Sequence, residues 1–399
     1  MPLFSVIDYF CWALLFTPST PSEHTRATTS SQAQPQTKYI LGGSLAGNLS
    51  VRDRRIVGGW LLGCAGMCFG AVALGGLTRL TESGLSIVEW NLFKGMKPPT
   101  SQTEWLAEFD KYKQFPEYSY KGTDMSLSQF KFIFYMEYAH RMWGRAIGIV
   151  FLVPAAFFWS RGWFSTPMKK RMGLAGGLLM FQGLLGWYMV KSGLDPTANS
   201  DSHIPRVSQY RLAAHLTSAI VLYTILLWSG LSHVFTPYDH THVAGIGRVR
   251  GLAHASKTAM FATAVVGAFV AGLDAGLVYN SWPLMADRWV PTDLWAKQPW
   301  YRNLTENPTT VQFIHRELAY LTLGCVTATW FFGRRLTMSP RAKGVLHALM
   351  VTAYAQAALG VYTLLNFVPV WLASLHQCGS MTLITFAFWL TNELRRVPK

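Results

Sequence analysis

Charged side chains are scarce in this sequence. Asp, Glu, Lys and Arg make up only 14% of the 399 residues, while 50% are hydrophobic. Soluble globular proteins carry roughly 25% charged residues, so an ordinary soluble domain is excluded. The apolar residues lie in about eight runs that approach the roughly 20 residues of a membrane-crossing helix. The predicted spans lie near Val57–Leu77, Met142–Trp159, Met172–Lys191, Leu212–Leu231, Ala255–Leu273, Phe313–Phe332, Val345–Asn366 and Trp371–Leu390.

Cysteine is also scarce, with five residues in the chain. None lies in a loop predicted to face an oxidising compartment, so a stabilising disulfide there is not expected. Cys64 and Cys68 lie four residues apart on one face of a predicted span. Such a pair suits a metal site, but apolar packing is the more common role of cysteines in a span.

Acidic residues are few, with 20 Asp and Glu against 35 Lys and Arg and a formal net charge of +15. The basic residues concentrate in every second connector, in VRDRR, RGWFSTPMKKR, GRVRGLAHASK, GRRLTMSPRAK and ELRRVPK. By the positive-inside rule, these connectors and both termini face the cytoplasm or the mitochondrial matrix. No basic stripe with interleaved aromatics is present, so we predict the lipid bilayer and not nucleic acid as a partner.

The first fifty residues differ in composition from the rest. Thr17–Thr37 is rich in Ser, Thr, Pro and Gln and poor in acids, which is typical of an organelle-targeting segment followed by a linker. Arginine is sparse there, and a poorly chosen start codon or a mobile tail is the alternative. We therefore divide the chain into a targeting segment and linker (1–50), an amino-terminal half (51–235), a matrix-side connector (236–254) and a carboxy-terminal half (255–399).

Segments of the first half recur in the second in the same order. An even number of spans in each unit makes the two copies parallel in the membrane. The sequence thus predicts an all-α membrane protein of eight transmembrane helices in two tandem, parallel four-helix-bundle repeats. The matching segments are Gly75–Leu85 with Gly267–Leu277, Gln182–Tyr188 with Gln356–Tyr362, and the residues around His215 with those around His376.

Four of the eleven histidines, His140, His215, His315 and His376, lie at one level near the non-basic side, within about two turns of the start of their predicted helices. Ionisable groups inside spans are costly and tend to mark function. Two inward histidines of a four-helix bundle can occupy both axial positions of a haem iron, so each half is predicted to hold one bis-histidine haem. For any one histidine alone, a hydrogen-bonded polar residue is the alternative. Zinc and copper sites usually have ligands at shorter spacing.

Residues near the histidines fit the same interpretation. Arg141 and Arg316 directly follow histidines and suit pairing with haem propionates, although snorkelling to the interface is an equal alternative. Small residues on the same faces leave room for a flat macrocycle, or serve helix packing. These small residues are Gly144, Gly148, Ser218 and Gly379.

Glu137 precedes His140 by three positions, so both side chains share a helix face. The corresponding residue of the second half is Gln312, which cannot ionise. A carboxylate beside a haem can accept a proton, orient water or stabilise a developing cation. The alternative is a structural role, as a hydrogen-bond partner of a neighbouring helix or as an ion pair with Arg141 or Arg145.

Six segments carry a resemblance to a known family: GGLTRLTESGLSIVEW, MEYAHRMWGR, FQGLLGWYMVKSGL, RVSQYRLAAHL, AGLDAGLVYNSWPLM and NPTTVQFIHR. From about Arg55 to its end, the chain resembles the haem A synthase family in its mitochondrial form. The resemblance implies an eight-span oxidoreductase of the mitochondrial inner membrane. Such an enzyme oxidises the C8 methyl of haem O through a hydroxymethyl stage to the formyl group of haem A, for cytochrome c oxidase assembly.

The resemblance also implies a role for each candidate residue. The substrate haem O, or its product haem A, would lie between His140 and His215 with Arg141 nearby. A permanent haem b would lie between His315 and His376 with Arg316 nearby, and Glu137 would be the catalytic carboxylate. The histidines would lie near the intermembrane-space side, with both termini toward the matrix.

Many bacterial members of that family carry a cysteine pair in the first outward loop, whereas Thr78–Phe130 here contains no cysteine. A thiol relay is therefore excluded, and the resemblance implies a ferredoxin-type electron donor or acceptor instead. Haem O synthase (haem farnesyltransferase), cytochrome c oxidase assembly factors and a second copy of the chain are further candidate partners.

Two other classes of protein compete with this interpretation. A diheme b-type electron-transfer cytochrome needs the four histidines but gives no reason for a carboxylate in only one half. A transporter would fit parallel repeats, but transporters usually interrupt their helices near the midplane, and no paired Pro or Gly breaks are present here.

Overall fold

The computed structural model of the chain describes residues 45, 47, 49–90, 97–121, 124–194 and 207–396. The predicted targeting segment and linker therefore lie almost entirely outside the described residues. Within the described ranges the regular structure is helical, with a single isolated bridge between Met285 and Arg288. This part of the chain is all-α, as the sequence predicts.

Eight of the described helices have between 24 and 34 residues. At a rise of 1.5 Å per residue, a helix of about 20 residues already matches the hydrocarbon thickness of a bilayer. Each predicted span corresponds to one of these long helices. They are α1 Val51–Leu80, α4 Leu127–Ser160, α5 Thr166–Gly193, α6 Gln209–Val234, α7 Ile246–Gly272, α9 Pro308–Gly333, α10 Pro340–Leu365 and α11 Val370–Glu393, with the shorter helices α2 Gln102–Tyr112, α3 Pro116–Lys121 and α8 Asn303–Glu306 between them.

Six of the long helices in the described part are both long and apolar enough to cross a membrane, namely α1, α4, α5, α6, α7 and α10. The remaining two long helices, α9 and α11, have 26 and 24 residues and are not among these six. The molecule is therefore a helical membrane protein. Within the described residues, none of the long helices is interrupted. Pro154 lies inside the continuous helix α4.

Local signals determine where the helices begin. Ser126 and Gln129 form a capping box at the start of α4, in which each side chain bonds the backbone N–H of the other. Prolines occupy the first turn of α5, α9 and α10, where the missing N–H costs no hydrogen bond. The capping box and the first-turn prolines explain why these helices begin several residues before their apolar runs.

The predicted start of the second span at Met142 is wrong, because α4 begins at Leu127. Its additional turns bury Phe130 and Phe134 against Trp105 and Tyr112 of α2. The helix therefore extends beyond its apolar run because an aromatic cap covers it. His140 consequently lies more than three turns into its helix, and not within two turns as predicted.

The long helices form two groups of four. In the first group, α1, α4, α5 and α6 contact one another in a ring. In the second, α7, α9, α10 and α11 do the same, and the two groups meet through contacts of α6 with α7, α11 with α1, and α6 with α11. Residues from both groups line one continuous apolar core. The site residues of both halves therefore lie in one packed body.

The turns that end α1 and α7 have the same backbone geometry. Glu82 and Asp274, which the repeat alignment places opposite each other, both adopt left-handed conformations with φ of 50° and 51°. Such conformations are uncommon outside glycine and persist where surrounding contacts enforce them. Arg79 of α1 reaches across to Asp274 with an N–O distance of 2.9 Å, so the two groups are also joined at this end.

At the basic end, the start of α10 is bonded to the end of α11. Arg341 donates to the carboxylate of Glu393 at 2.6 Å and to the carbonyl of Thr236 at 2.9 Å. Trp389 donates to the same Glu393 oxygen at 3.1 Å. The Glu393 side chain is only 1% exposed, so these donors replace the hydrogen bonds that water would otherwise make to its carboxylate.

Replacement of Arg341 by Ala should therefore destabilise the protein. Hydrogen bonds to charged groups contribute about 1.5–3 kcal/mol, and the variant would leave a buried carboxylate without its cation. The expected result is a lower midpoint of thermal unfolding for R341A in detergent, measured by circular dichroism. Arg335→Ala is the control, because Arg335 is exposed in the preceding connector. Equal midpoints for R341A and the unsubstituted protein would contradict the assigned role.

Candidate functional site

The four candidate histidines lie in pairs, one pair in each helix group. His140 of α4 and His215 of α6 belong to the first group, and His315 of α9 and His376 of α11 belong to the second. The members of each pair are close enough to interact electrostatically. The structure therefore brings together the residues that the sequence pairs.

Each imidazole lies against a glycine of a neighbouring helix. The separation can be expressed as the distance from an ideal Cβ on the glycine to Cε1 of the ring. It is 2.8 Å for Gly75 and His140, 3.6 Å for Gly186 and His215, 3.1 Å for Gly267 and His315, and 2.8 Å for Gly360 and His376. At the two shortest contacts an alanine would force the ring to move, whereas 3.6 Å is an ordinary contact.

Sequence reasoning missed these four glycines as site residues. Their signal was present, because the repeat alignment already matches Gly75 with Gly267 and Gly186 with Gly360. A glycine that recurs in both halves at the same place is expected where two backbones, or a backbone and a ring, approach closely.

The imidazole Nδ1 atoms differ between the two groups. His315 Nδ1 donates to the Thr263 carbonyl at 3.0 Å, whereas His376 Nδ1 accepts from the Gln356 amide nitrogen at 3.0 Å. The Nδ1 atoms of His140 and His215 are buried and have no partner. The rings of the second group are therefore held by hydrogen bonds, while those of the first are held by packing.

The histidine pairs fit a haem iron by the chemistry of their donors. No protein group in the described residues bonds the Nε2 atom of these four rings, and all four histidines are only partly buried by the surrounding protein. A neutral imidazole with a free lone pair on Nε2 is a good iron ligand, and a bond donated from Nδ1, as at His315, fixes the tautomer and the ring orientation. At His376 the bond accepted from Gln356 places the proton on Nε2, so this ring would have to exchange that bond to ligate iron. No cluster of three or more His, Cys, Asp or Glu residues that could hold another metal occurs in the described part.

The small residues expected to make room for a macrocycle divide into two sets. Gly144 and Gly148 face open space, with nothing within 4 Å of an added Cβ. The space beside Gly379 is instead filled by the Gln356 amide, which an added Cβ would overlap. Ser218 accepts from Gln182 at 2.5 Å. Gly379 and Ser218 thus serve helix packing, through a glutamine in each half.

Glu137 is buried in a full set of hydrogen bonds. One carboxylate oxygen accepts from the Ser86 hydroxyl and the Ile87 N–H, both at 2.8 Å. The other oxygen accepts from Nε and Nη2 of Arg141 at 3.0 and 2.6 Å. The structure therefore joins Glu137 to the segment that follows α1 as well as to Arg141.

Arg141 is occupied by the same segment. It donates to the carbonyls of Ile87 and Glu89 at 2.8 and 3.1 Å and stacks over Trp90. Its guanidinium therefore has more than one function, since it neutralises Glu137 and also fixes the polypeptide that covers this end of the helix group.

The second group repeats this contact without charges. Gln312 donates to the Tyr279 carbonyl at 3.0 Å, and the repeat alignment places Tyr279 opposite Ile87. Arg316 bonds the Tyr320 hydroxyl at 3.1 Å. Both halves therefore attach the residue three before the histidine to the segment after the preceding long helix, but only the first half uses an ion pair.

A cap of aromatic side chains from α2 covers the first group near Glu137. Burial, together with the carboxylates of Glu117 and Glu137, raises the pKa of the Tyr112 phenol above its ordinary value. Tyr112 is fully buried among Phe109, Phe130 and Tyr118. The cap also packs against Ile87 and Val88, in the segment whose backbone bonds Glu137.

Cys64 and Cys68 of α1 are buried in the apolar core, and the Cys64 thiol lies 3.9 Å from the Val150 carbonyl. Together with the absence of a metal-binding cluster in the described part, this favours apolar packing, which the sequence already indicated as the more common role.

The long apolar helices and the two helix groups define a multi-span helical membrane protein with a pair of histidines in each group. The profile of the cytochrome oxidase assembly protein family matches residues 58–388, and the chain belongs to that family.

Its relatives include proteins named heme A synthase COX15 from Homo sapiens and Saccharomyces cerevisiae. The human protein is 56% identical over 346 residues, which cover 86% of this chain and 84% of the relative. The yeast protein is 43% identical over 363 residues, which cover 84% of this chain and 75% of the relative. A bacterial heme A synthase from Rhodospirillum centenum is 44% identical over 339 residues, covering 84% of this chain and 87% of the relative.

Two alanine substitutions test the contacts between glycine and histidine. Gly75→Ala places a Cβ 2.8 Å from His140 Cε1, whereas Gly186→Ala places one 3.6 Å from His215 Cε1. Changes in the groups that orient metal-binding histidines typically cost 10–100-fold in affinity, so we expect about tenfold weaker haem binding in the first group for G75A.

G186A should bind haem normally and is the matched control. Haem titration of the purified protein, followed by absorbance, measures both affinities. Equal affinities for G75A and G186A would show that the glycine contact does not position the ring.

Proposed function

We propose that the chain is a haem A synthase, an oxidoreductase that converts the C8 methyl of haem O to a formyl group. Family membership supports this activity, as do the relatives named heme A synthase. The observation that carries the proposal is the unequal pair of histidine sites, since only one has a carboxylate beside its ligand. The product, haem A, would serve cytochrome c oxidase assembly.

The proposed topology uses all eight long helices as membrane spans. The halves 51–235 and 255–399 would be parallel repeats, and the two rings of helix contacts support this arrangement. The basic connectors and both termini would face the matrix of mitochondria, with the protein in the inner membrane. The histidines would then lie near the intermembrane-space side.

In this proposal the two sites hold different haems. His140 and His215 would bind the substrate haem O, while His315 and His376 would bind a permanent haem b that exchanges electrons with the substrate site. The bond that His315 Nδ1 donates to the Thr263 carbonyl suits a permanent ligand, because it leaves the lone pair of Nε2 free for iron. The absence of such bonds at His140 and His215 suits a site that must accept and release its haem.

Glu137 would manage protons at the substrate site. The methyl group passes through a hydroxymethyl stage to a geminal diol, which loses water to give the aldehyde. When the added oxygen comes from water, each of the two oxidations releases two protons and two electrons. The carboxylate accepts bonds from Arg141, Ser86 and Ile87, which fix its position, and it would accept a proton or stabilise positive charge on the substrate.

The electrons require a partner outside the bundle. A ferredoxin-type protein on the matrix side is the proposed donor or acceptor, because the loop between α1 and α4 offers no cysteine pair. Haem O synthase would supply the substrate and oxidase assembly factors would receive the product. Arg141 and Arg316 are proposed to lie near the haem propionates, although Arg141 already bonds Glu137.

A diheme electron-transfer cytochrome is the second candidate. The complete set of hydrogen bonds on Glu137 favours it, because a residue that only joins a helix to a loop would have the same contacts. In that case Glu137 would be structural and both haems would be permanent.

Identification of the bound haems distinguishes the two candidates. The protein is purified in mild detergent and its haems are extracted into acidified organic solvent, then identified by chromatography and mass. We expect haem b together with haem O, its hydroxymethyl form or haem A. Only haem b, near two per chain, would overturn the synthase proposal in favour of the cytochrome.

Glu137→Gln tests the role of the carboxylate. Acid–base groups typically contribute 10²–10⁴-fold to rate, so we expect haem A formation to fall at least about 100-fold, with haem O or its alcohol accumulating. Both haem sites should stay occupied, because no histidine contact is changed.

Ser86→Ala is the companion variant, since it removes one donor from Glu137 and leaves the charge. It should retain most of the conversion. Chromatography of extracted haems measures product and occupancy together, and normal haem A output from E137Q would rule out a catalytic Glu137.

A further inference from the structure

The contact between α1 and α11 contains one polar bond between the helix groups, next to a candidate haem ligand. Gln377 follows His376 and donates from Nε2 to the Val72 carbonyl of α1 at 2.9 Å. Buried side-chain amides need such partners in an apolar surrounding. The bond therefore fixes where α11 meets α1.

Gly76 creates the space for this contact. An added Cβ at Gly76 would overlap the Gln377 amide, so the amide lies directly against the α1 backbone. The preceding residue, Gly75, lies against the His140 ring. Two successive residues of α1 thus contact the two sites, with Gly75 touching a ligand of the first group and Gly76 touching the neighbour of a ligand of the second.

The equivalent contact between α6 and α7 has no such bond. The repeat alignment places Leu216 opposite Gln377 and Ala268 opposite Gly76. Leu216 packs in the apolar core, and Ala268 is buried. A leucine and a residue with a Cβ cannot form the amide contact, so the polar link is present at only one of the two equivalent places.

We propose that Gln377 is a positioning residue that couples the two histidine sites. It joins the segment of α11 that carries His376 to the segment of α1 that supports His140. A displacement of either helix is then transmitted to the ligand in the other group. The inference rests on the proposed function, because it concerns the relative placement of two haems that exchange electrons.

The test uses a double-mutant cycle, which measures coupling between residues in contact. The variants are Gly76→Ala, Gln377→Ala and the pair together, in the full-length purified protein. Gly66→Ala is the matched control on the same helix, because an added Cβ there meets nothing within 4 Å. The measured quantities are the electron paramagnetic resonance signature and the midpoint potential of each haem.

A His140→Ala background leaves the second site as the haem-binding site under study. In this background, G76A is expected to shift the electron paramagnetic resonance signature and the midpoint potential of the haem at His315 and His376. This shift is expected although Gly76 lies on α1, a helix of the other group. The shift should be smaller when Gln377→Ala is also present, since the truncated side chain gives the new methyl group space. G66A should cause no shift.

The outcomes separate the coupling from the proposed function. If the unsubstituted protein binds no haem, the proposed function fails. If it binds haem in both groups but G76A leaves the second haem unchanged, or if the shifts of the two single variants simply add, the coupling role of Gln377 is wrong.

Discussion

The close approach of a helix backbone to each buried imidazole is the constraint on which both sites depend. An imidazole in an apolar helix bundle must have its orientation set by its neighbours, because no surrounding water can do so. Here each ring lies on a glycine of the adjacent helix, with separations that a larger residue would change at Gly75 and Gly360. The distance between neighbouring helices therefore determines the position of each ring. A shift of α1 or α10 would move the glycine backbone that the ring contacts.

The two helix groups use the same framework for different chemistry. Each ties the residue three before its histidine to the segment following the preceding long helix, through Glu137 in one group and Gln312 in the other. In the first group the ion pair of Glu137 and Arg141 places charges near His140. In the second group the uncharged amide of Gln312 takes the place of the carboxylate. The second group has hydrogen bonds at both Nδ1 atoms instead, so polar contacts orient its rings directly.

Much of this arrangement could be predicted from the sequence. Apolar runs located the long helices, because a membrane span is a property of local composition, and the repeat predicted which histidines would meet. The start of α4 was wrong because the aromatic cap on Phe130 and Phe134 comes from α2, a contact that no helical period contains. For Gly379 the sequence left two roles open, room for a macrocycle and helix packing. The space beside it is filled by Gln356 of another helix, and a small residue looks the same in a sequence whether a ligand or a side chain fills that space.

The sequence by itself determined the class of the protein, the positions of its long helices, the pairing of His140 with His215 and of His315 with His376, and the difference between Glu137 and Gln312. These features depend on residue type and on spacing along one chain. The tertiary structure alone decided which glycine contacts each imidazole ring and which Nδ1 atoms have hydrogen-bond partners. It also decided that Arg141 bonds Glu137 and the segment after α1, and that Gln377 bonds Val72 across the two helix groups. Such contacts join residues of different helices, and their formation depends on the distance and rotation of packed helices, which composition and periodicity do not specify.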